Sequence, residues 1–232
     1  MQIDTAFDFR SDANGKDPDW SSPTLRRYHK MLWSKALPCG AKFDLNDTTP
    51  TAYLYHRSHK GEFWLASDSV MATYTRKLRD FLRDFPAEEL EYFDTITYTI
   101  GGMMIFPGNR VNGKMTINGA RGFHPRIADR FDLTLECVRR HYLGQDSPLS
   151  EPLLRYQDYF ALFHDFTGYV DFFLLHDLVA SDTSVRFFTR STISSGRHCL
   201  RTTMHIGNSV AAASNSSSLE TTEFDHRYLF SA

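Results

Sequence analysis

"ITYTIGGMMIFPGNRVNGKMTIN", residues 96–118, decides the fold class. Its first half is β-branched and apolar, which suits a strand, and the Gly101-Gly102 pair marks a bulge or a close approach of backbones. Asn112-Gly113 is a strong two-residue hairpin signal, so residues 114–118 read as a returning strand. The same stretch holds G-x-x-x-x-G-K from Gly108 to Lys114. A phosphate-cradling loop of that pattern needs Ser or Thr next, where this chain has Met115, and a helix directly after it. "MTINGARG", with two glycines and β-branched residues, argues against that helix. A turn with an exposed Lys114 is the better reading.

Helical periodicity surrounds this hairpin. Upstream, Ser22-Pro23 is a helix start, Ser as cap and Pro in the first turn, with Leu25, Tyr28 and Leu32 as the apolar stripe. "TAYLYHR" (51–57) and "GEFWLAS" (61–67) read as a hairpin around "SHKG". Asp68 caps an expected helix to about Phe85, whose outer face carries Arg76, Lys77, Arg79 and Arg83; "AEELEYF" adds another helical turn. Downstream, residues 125–143 form the most regular helix, ended by Gly144. Ile127, Phe131, Leu135, Val138 and Tyr142 face one way, and Asp129, Asp132, Glu136 and Arg140 the other. A further helix follows over 147–166, and "YVDFFLLHDLV" (169–179) reads as a buried helix. The expectation is an α+β, mainly helical single domain over residues 1–188 with short antiparallel hairpins. The 189–232 tail is rich in Ser and Thr, buries little, and reads as disordered or loosely attached.

Composition narrows the function. The chain has 232 residues, enough to bury a core without covalent staples, and its 19 Phe and 11 Tyr make that core aromatic. A formal net charge of −2 gives no global attraction to nucleic acid or anionic membrane. Cys39, Cys137 and Cys199 form no C-x-x-C pair, which excludes a zinc ribbon and fits a reducing, cytoplasmic compartment. No apolar run reaches the roughly 18 residues of a membrane span. The acidic start reads as no signal peptide.

The densest polar constellation is Asn118, Arg121, His124, Arg126, Asp129, Arg130, Asp132 and Glu136. A loop entering a helix is a natural anion site, because unpaired amides and the helix dipole point there. Asn118, Arg121, His124, Arg126 and Arg130 are therefore the candidate binding residues for a phosphate- or nucleotide-like anion. Asp129, Asp132 and Glu136, sharing a helical face, are the candidate acid–base residues. The competing reading is a solvated face laced with i,i+4 pairs such as Glu136–Arg140. His56 and His59 form H-x-x-H without a third ligand, so no metal site is expected, and no cofactor is implied. Three functional classes stay open: an anion-binding or regulatory protein using 118–130, an enzyme on a phosphorylated substrate using 129–136, and a protein-interaction module.

The segments "YTIGGMMIFPGN", "MTINGARG" and "IADRFDLTLECVRRHYLG", with "SPTLRRYHKMLWSK", "GEFWLASDS" and "YFALFHDFTGYVDFFLLHDLV", resemble a bacterial protein family known only as a domain of unknown function. The resemblance covers roughly residues 5–188. It implies a bacterial cytoplasmic protein and no activity, so it assigns no catalytic residue. The chain departs from the family's pattern after "RFF", where a charged segment gives way to the Ser/Thr-rich tail. A reading-frame change near residue 188 is the hypothesis that departure suggests, and rapid proteolytic trimming to about residue 190 is its expected signature.

Overall fold

The computed structural model describes residues 2–46, 54–69 and 86–187. The expected helical stretch from Val70 to Phe85, with its four basic residues, and the 189–232 tail lie outside the described residues. Within them the protein is α+β, with eight α-helices and a three-stranded antiparallel sheet.

The strands β1 (Leu54–Ser58), β2 (Gly61–Ser69) and β3 (Met103–Pro107) lie in the order β1-β2-β3. The expected first hairpin forms. Leu54 pairs with Leu65 and Ser58 with Gly61, leaving His59-Lys60 as the turn. β2 runs on through Asp68 and Ser69, which pair with Met104 and Met103. Asp68 is therefore a strand residue, not a helix cap. β3 is buried along its whole length, because both faces of the sheet are covered, and this explains an apolar run without alternation.

One face of β2 carries the buried Phe63, Leu65 and Ser67; Ser67 Oγ lies 3.1 Å from His29 Nε2 of α2 (Pro23–Trp33), and Phe63 meets the Tyr159 ring edge-on at 5.7 Å. α2 starts as its sequence demands: Ser22 Oγ accepts from Leu25 N at 3.0 Å and Pro23 occupies the first turn. The short α1 (Pro18–Ser21) precedes it. The opposite face presents Phe106 to α4 (Ile117–Phe123) and α5 (Phe131–Tyr142), where Phe131 meets it edge-on at 6.4 Å.

Three expectations around the opening stretch fail. Ile96 and Thr97 are not strand residues; they end α3 (Ala87–Thr97), and a tight turn at Ile100–Gly102 leads into β3. The close approach at Gly102 is real, since a Cβ there would lie 2.3 Å from Thr97 O. Asn112 and Gly113 do take the left-handed conformation a tight turn needs (φ 52° and 71°), but no strand returns. Thr116 Oγ1 instead accepts from Gly119 N at 3.3 Å and starts α4, so a helix does follow Lys114 despite two glycines. An added Cβ at Gly119 would sit 2.5 Å from Met115 Cγ, so that side chain would have to shift.

The helix expected over 125–143 begins only at Phe131. Residues 125–130 form turns in which Ala128 and Asp129 have φ of 49° and 67°. The helix expected over 147–166 is broken into α6 (Ser150–Arg155), α7 (Gln157–Phe160) and a 3-10 turn. α8 (Phe166–Phe173) follows, capped by Asp165 and ended by left-handed Leu174. Tyr159, Phe160, Phe163, Tyr169, Phe172 and Phe173 interlock here with ring centroids mostly 5–6 Å apart, and join Phe43 and Trp33 in the aromatic core.

Candidate functional site

Arg121, expected on a loop facing an anion, is a helix residue with no solvent exposure. Its Nη1 lies 2.6 Å from Asp68 Oδ2 and 2.8 Å from Asp129 Oδ1. Nη2 donates to Asp129 O at 2.7 Å and Nε to Thr134 Oγ1 at 3.3 Å, while the guanidinium lies over Phe106 at 5.6 Å. The fork is thus filled by the end of β2, the left-handed turn and the start of α5. Asp129 is 8 % exposed and its carboxylate points back to Arg121, so it shares no helical face with Asp132 and Glu136.

Asp19 of α1 completes this cluster. Burial, followed by the charges of Asp68 and Asp17, pushes its carboxyl up to about 7. Burial likewise raises Asp68 to about 6, against the pull of Arg121. Asp19 Oδ1 is buried without a hydrogen-bond partner. Among the described residues three carboxylates thus surround one guanidinium, and burial and mutual repulsion keep Asp19 and Asp68 protonated to higher pH than usual.

The other expected residues scatter. Asp132 is fully buried and paired with Arg130. Glu136 is gripped by Arg139 and Arg140 at 2.8 and 2.9 Å. Burial acts to raise its carboxyl, and the two arginines outweigh it, holding it below the usual range. His124 Nδ1 accepts from Arg126 N at 3.2 Å, and Arg126 is exposed. Asn118 Oδ1 is buried and unpartnered. Among the described residues Arg121 is thus joined to Asp129, and Arg130 to Asp132, as separate ion pairs.

A cavity of about 840 Å³ opens elsewhere, along the outer edge of α2. Trp20, Arg26, Arg27, Lys30, Met31 and Asn46 are among its lining residues. Helical spacing places Arg26, Arg27 and Lys30 within little more than one turn. Among the described residues the lining holds one carboxylate, Asp44, which lies 3.1 Å from Lys42 Nζ. Its wall is fixed from behind, where His56 Nδ1 donates to Asp44 O at 3.0 Å and Asn46 and Tyr55 exchange two backbone hydrogen bonds. The described lining thus carries three cations and one carboxylate. Sequence reasoning passed over it. The signal was the Arg26-Arg27-Lys30 run beginning six residues after Trp20, and it reads as ordinary helix surface until the 44–46 loop supplies the facing wall.

A second cavity, about 490 Å³, is lined by Cys39, His59, Lys60, His164, Asp165 and Asp171 among others. Its charges are mixed, and His164 is already paired with Asp165 at 3.2 Å. Among the described residues no group of three His, Cys, Asp or Glu side chains is placed to hold a metal ion, and His56 of the H-x-x-H pair is buried against Phe43. Nor is any described helix long and apolar enough to cross a membrane.

The chain belongs to a protein family of unknown function, DUF6994, whose pattern it matches over residues 3–209. That match runs past residue 188, where the composition changes. No curated protein and no solved structure matches it.

Proposed function

We propose that the protein is a cytoplasmic ligand-binding or regulatory protein that holds a phosphate-bearing small anion in the α2 cleft. The supporting observation is the convergence of Arg26, Arg27 and Lys30 on one concavity of about 840 Å³. That volume is in the usual range for small-molecule sites. Arginine forks match phosphate oxygens bidentately, and a lysine ammonium adds a mobile point charge. This keeps the ligand class expected from the sequence and moves its site from residues 118–130 to residues 20–46. The free thiols Cys39 and Cys137 favour a reducing compartment.

Thermal denaturation at low salt with inorganic phosphate or pyrophosphate tests the proposal. A ligand at about a hundred times its Kd stabilises by about 2.7 kcal/mol. In a chain of this length that raises the midpoint by about 5–10 °C. The gain disappears in Arg27→Glu/Lys30→Glu and shrinks with added salt. No gain in the wild type, or an equal gain in the double variant, rejects the cleft as the anion site.

A further inference from the structure

Trp20 and Ser21 of α1 line the α2 cleft, and Ser22, which ends α1, starts α2. α1 also packs against β2, and there it delivers the Asp19 carboxyl. The Ser69 amide bonds to the carboxyls of both Asp19 and Asp68, so two acids meet at one N–H. Asp19 Oδ1 is buried and has no hydrogen-bond partner. Arg121, the cation of this junction, is already taken up by Asp68 and Asp129 at 2.6 and 2.8 Å. The charged groups on the other sides of α1 are engaged as well. Arg10 of the Phe9–Asp12 turn pairs with Asp8 and Asp94 and lies over the Tyr98 ring at 4.6 Å. Asp12 accepts from Ser22 Oγ and Thr24 N, and Asp17 accepts from Asp19 N. Burial first, then Asp68 and Asp17, make Asp19 hard to ionise, and the Ser69 amide and Arg121 offset only part of this. A helix of four residues does not persist alone in water, so α1 holds only while it is seated on the rest of the fold.

We propose that the Asp19 carboxyl is a proton-operated latch: protonated, it seats α1 on β2 and keeps that wall of the α2 cleft in place; ionised beside Asp68, it releases α1 and the wall with it. An unpartnered carboxyl oxygen costs far more to bury charged than neutral. The folded-state value of about 7 lies above the ordinary 3.8, so the seated form is favoured at low pH and lost as pH rises through about 7. Asp12 holds both Ser22 and Thr24, so the release ends where α2 begins. The latch stands without the anion reading of the cleft; its effect on a ligand rests on that reading.

Amide hydrogen exchange of the full chain between pH 5.5 and 8, corrected for the pH dependence of intrinsic exchange, tests this. The Ser21 and Ser22 amides, bonded to Asp17 O and Pro18 O at 2.9 and 3.1 Å, report on α1. Their protection is expected to fall at least about tenfold over that range, while the β1–β2 amides keep theirs. In Asp19→Asn, which cannot ionise, it should stay level. With inorganic pyrophosphate added, the wild type should bind several-fold more weakly than Asp19→Asn at pH 8 and equally at pH 5.5. Protection of Ser21 and Ser22 that stays level in the wild type, falls equally in Asp19→Asn, or is lost together with that of β1–β2 overturns the latch whatever the ligand does. If α1 opens as expected and pyrophosphate binds neither protein, the anion reading fails and the latch stands.

Discussion

Arg121 has the whole of its hydrogen-bonding fork turned inward, onto Asp68, Asp129 and Thr134. Replacing it with Met would leave three carboxylates with no cation among them. Breaking a buried pair from one side typically costs about 3–5 kcal/mol. Arg121→Met should therefore lower the urea midpoint sharply at pH 7.5, with part of the loss recovered at pH 4.5, below the raised values of Asp19 and Asp68. An unchanged midpoint at pH 7.5 would show that the cluster does not hold the fold. Asp19 carries the complementary prediction. Its folded-state value near 7 and that of Asp68 near 6 lie above the ordinary 3.8. Between about pH 4 and 7 the folded protein keeps protons that the unfolded chain has released, so this contribution to stability is present at low pH and lost as pH rises through 6–7. Asp19→Asn retains an oxygen for the Ser69 amide and removes the titration. It should be more stable than wild type at pH 7.5, by on the order of 2 kcal/mol, and nearly equal at pH 4.5. Parallel stability–pH curves for the two proteins would contradict this.

At the scale of elements, sequence and structure agree where a signal is local. Ser22-Pro23 starts α2, and the 54–69 hairpin pairs around its two-residue turn. They part where a distant contact decides. Ile96 and Thr97 have strand propensity, yet they finish α3 because Gly102 lets the chain turn back onto their carbonyls. Gly102→Ala should thus destabilise far beyond its small gain in helix or strand propensity, since the added carbon meets backbone and not a movable side chain. A thermal midpoint within 2 °C of wild type, as expected for about 0.5 kcal/mol, would show that the junction relaxes. The late start of α5 is of the same kind. Residues 125–130 carry helical periodicity, but Asp129 N donates to Arg121 O at 3.0 Å and the turn brings the carboxylate to the guanidinium. The ion pair outweighs the periodic pattern, and no window of local sequence contains both Arg121 and its other partner Asp68, 53 residues away.

For the whole molecule, the fold class is legible in the sequence and the cleft proposed as the anion site is not. Short strands, Gly-Pro punctuation and helical stripes give α+β directly. The candidate residues 118–136 were chosen because polar side chains crowd together in sequence, and folding spends that crowding on internal pairing: Arg121 with Asp129, Arg130 with Asp132, Arg139 and Arg140 with Glu136. A cleft needs two walls, and here they come from α2 and from the loop reaching Asn46, so it has no compact sequence signature. The division of cations into a buried, structural Arg121 and a cleft-lining Arg26, Arg27 and Lys30 is the central claim. Its most direct test is an amide-resolved NMR titration of the ¹⁵N-labelled chain with inorganic pyrophosphate at low salt. Shift changes confined to residues 20–34 and 44–46, with 118–136 unmoved, are the predicted result. Changes centred on residues 118–130 would return the anion to the loop–helix junction and contradict the assignment.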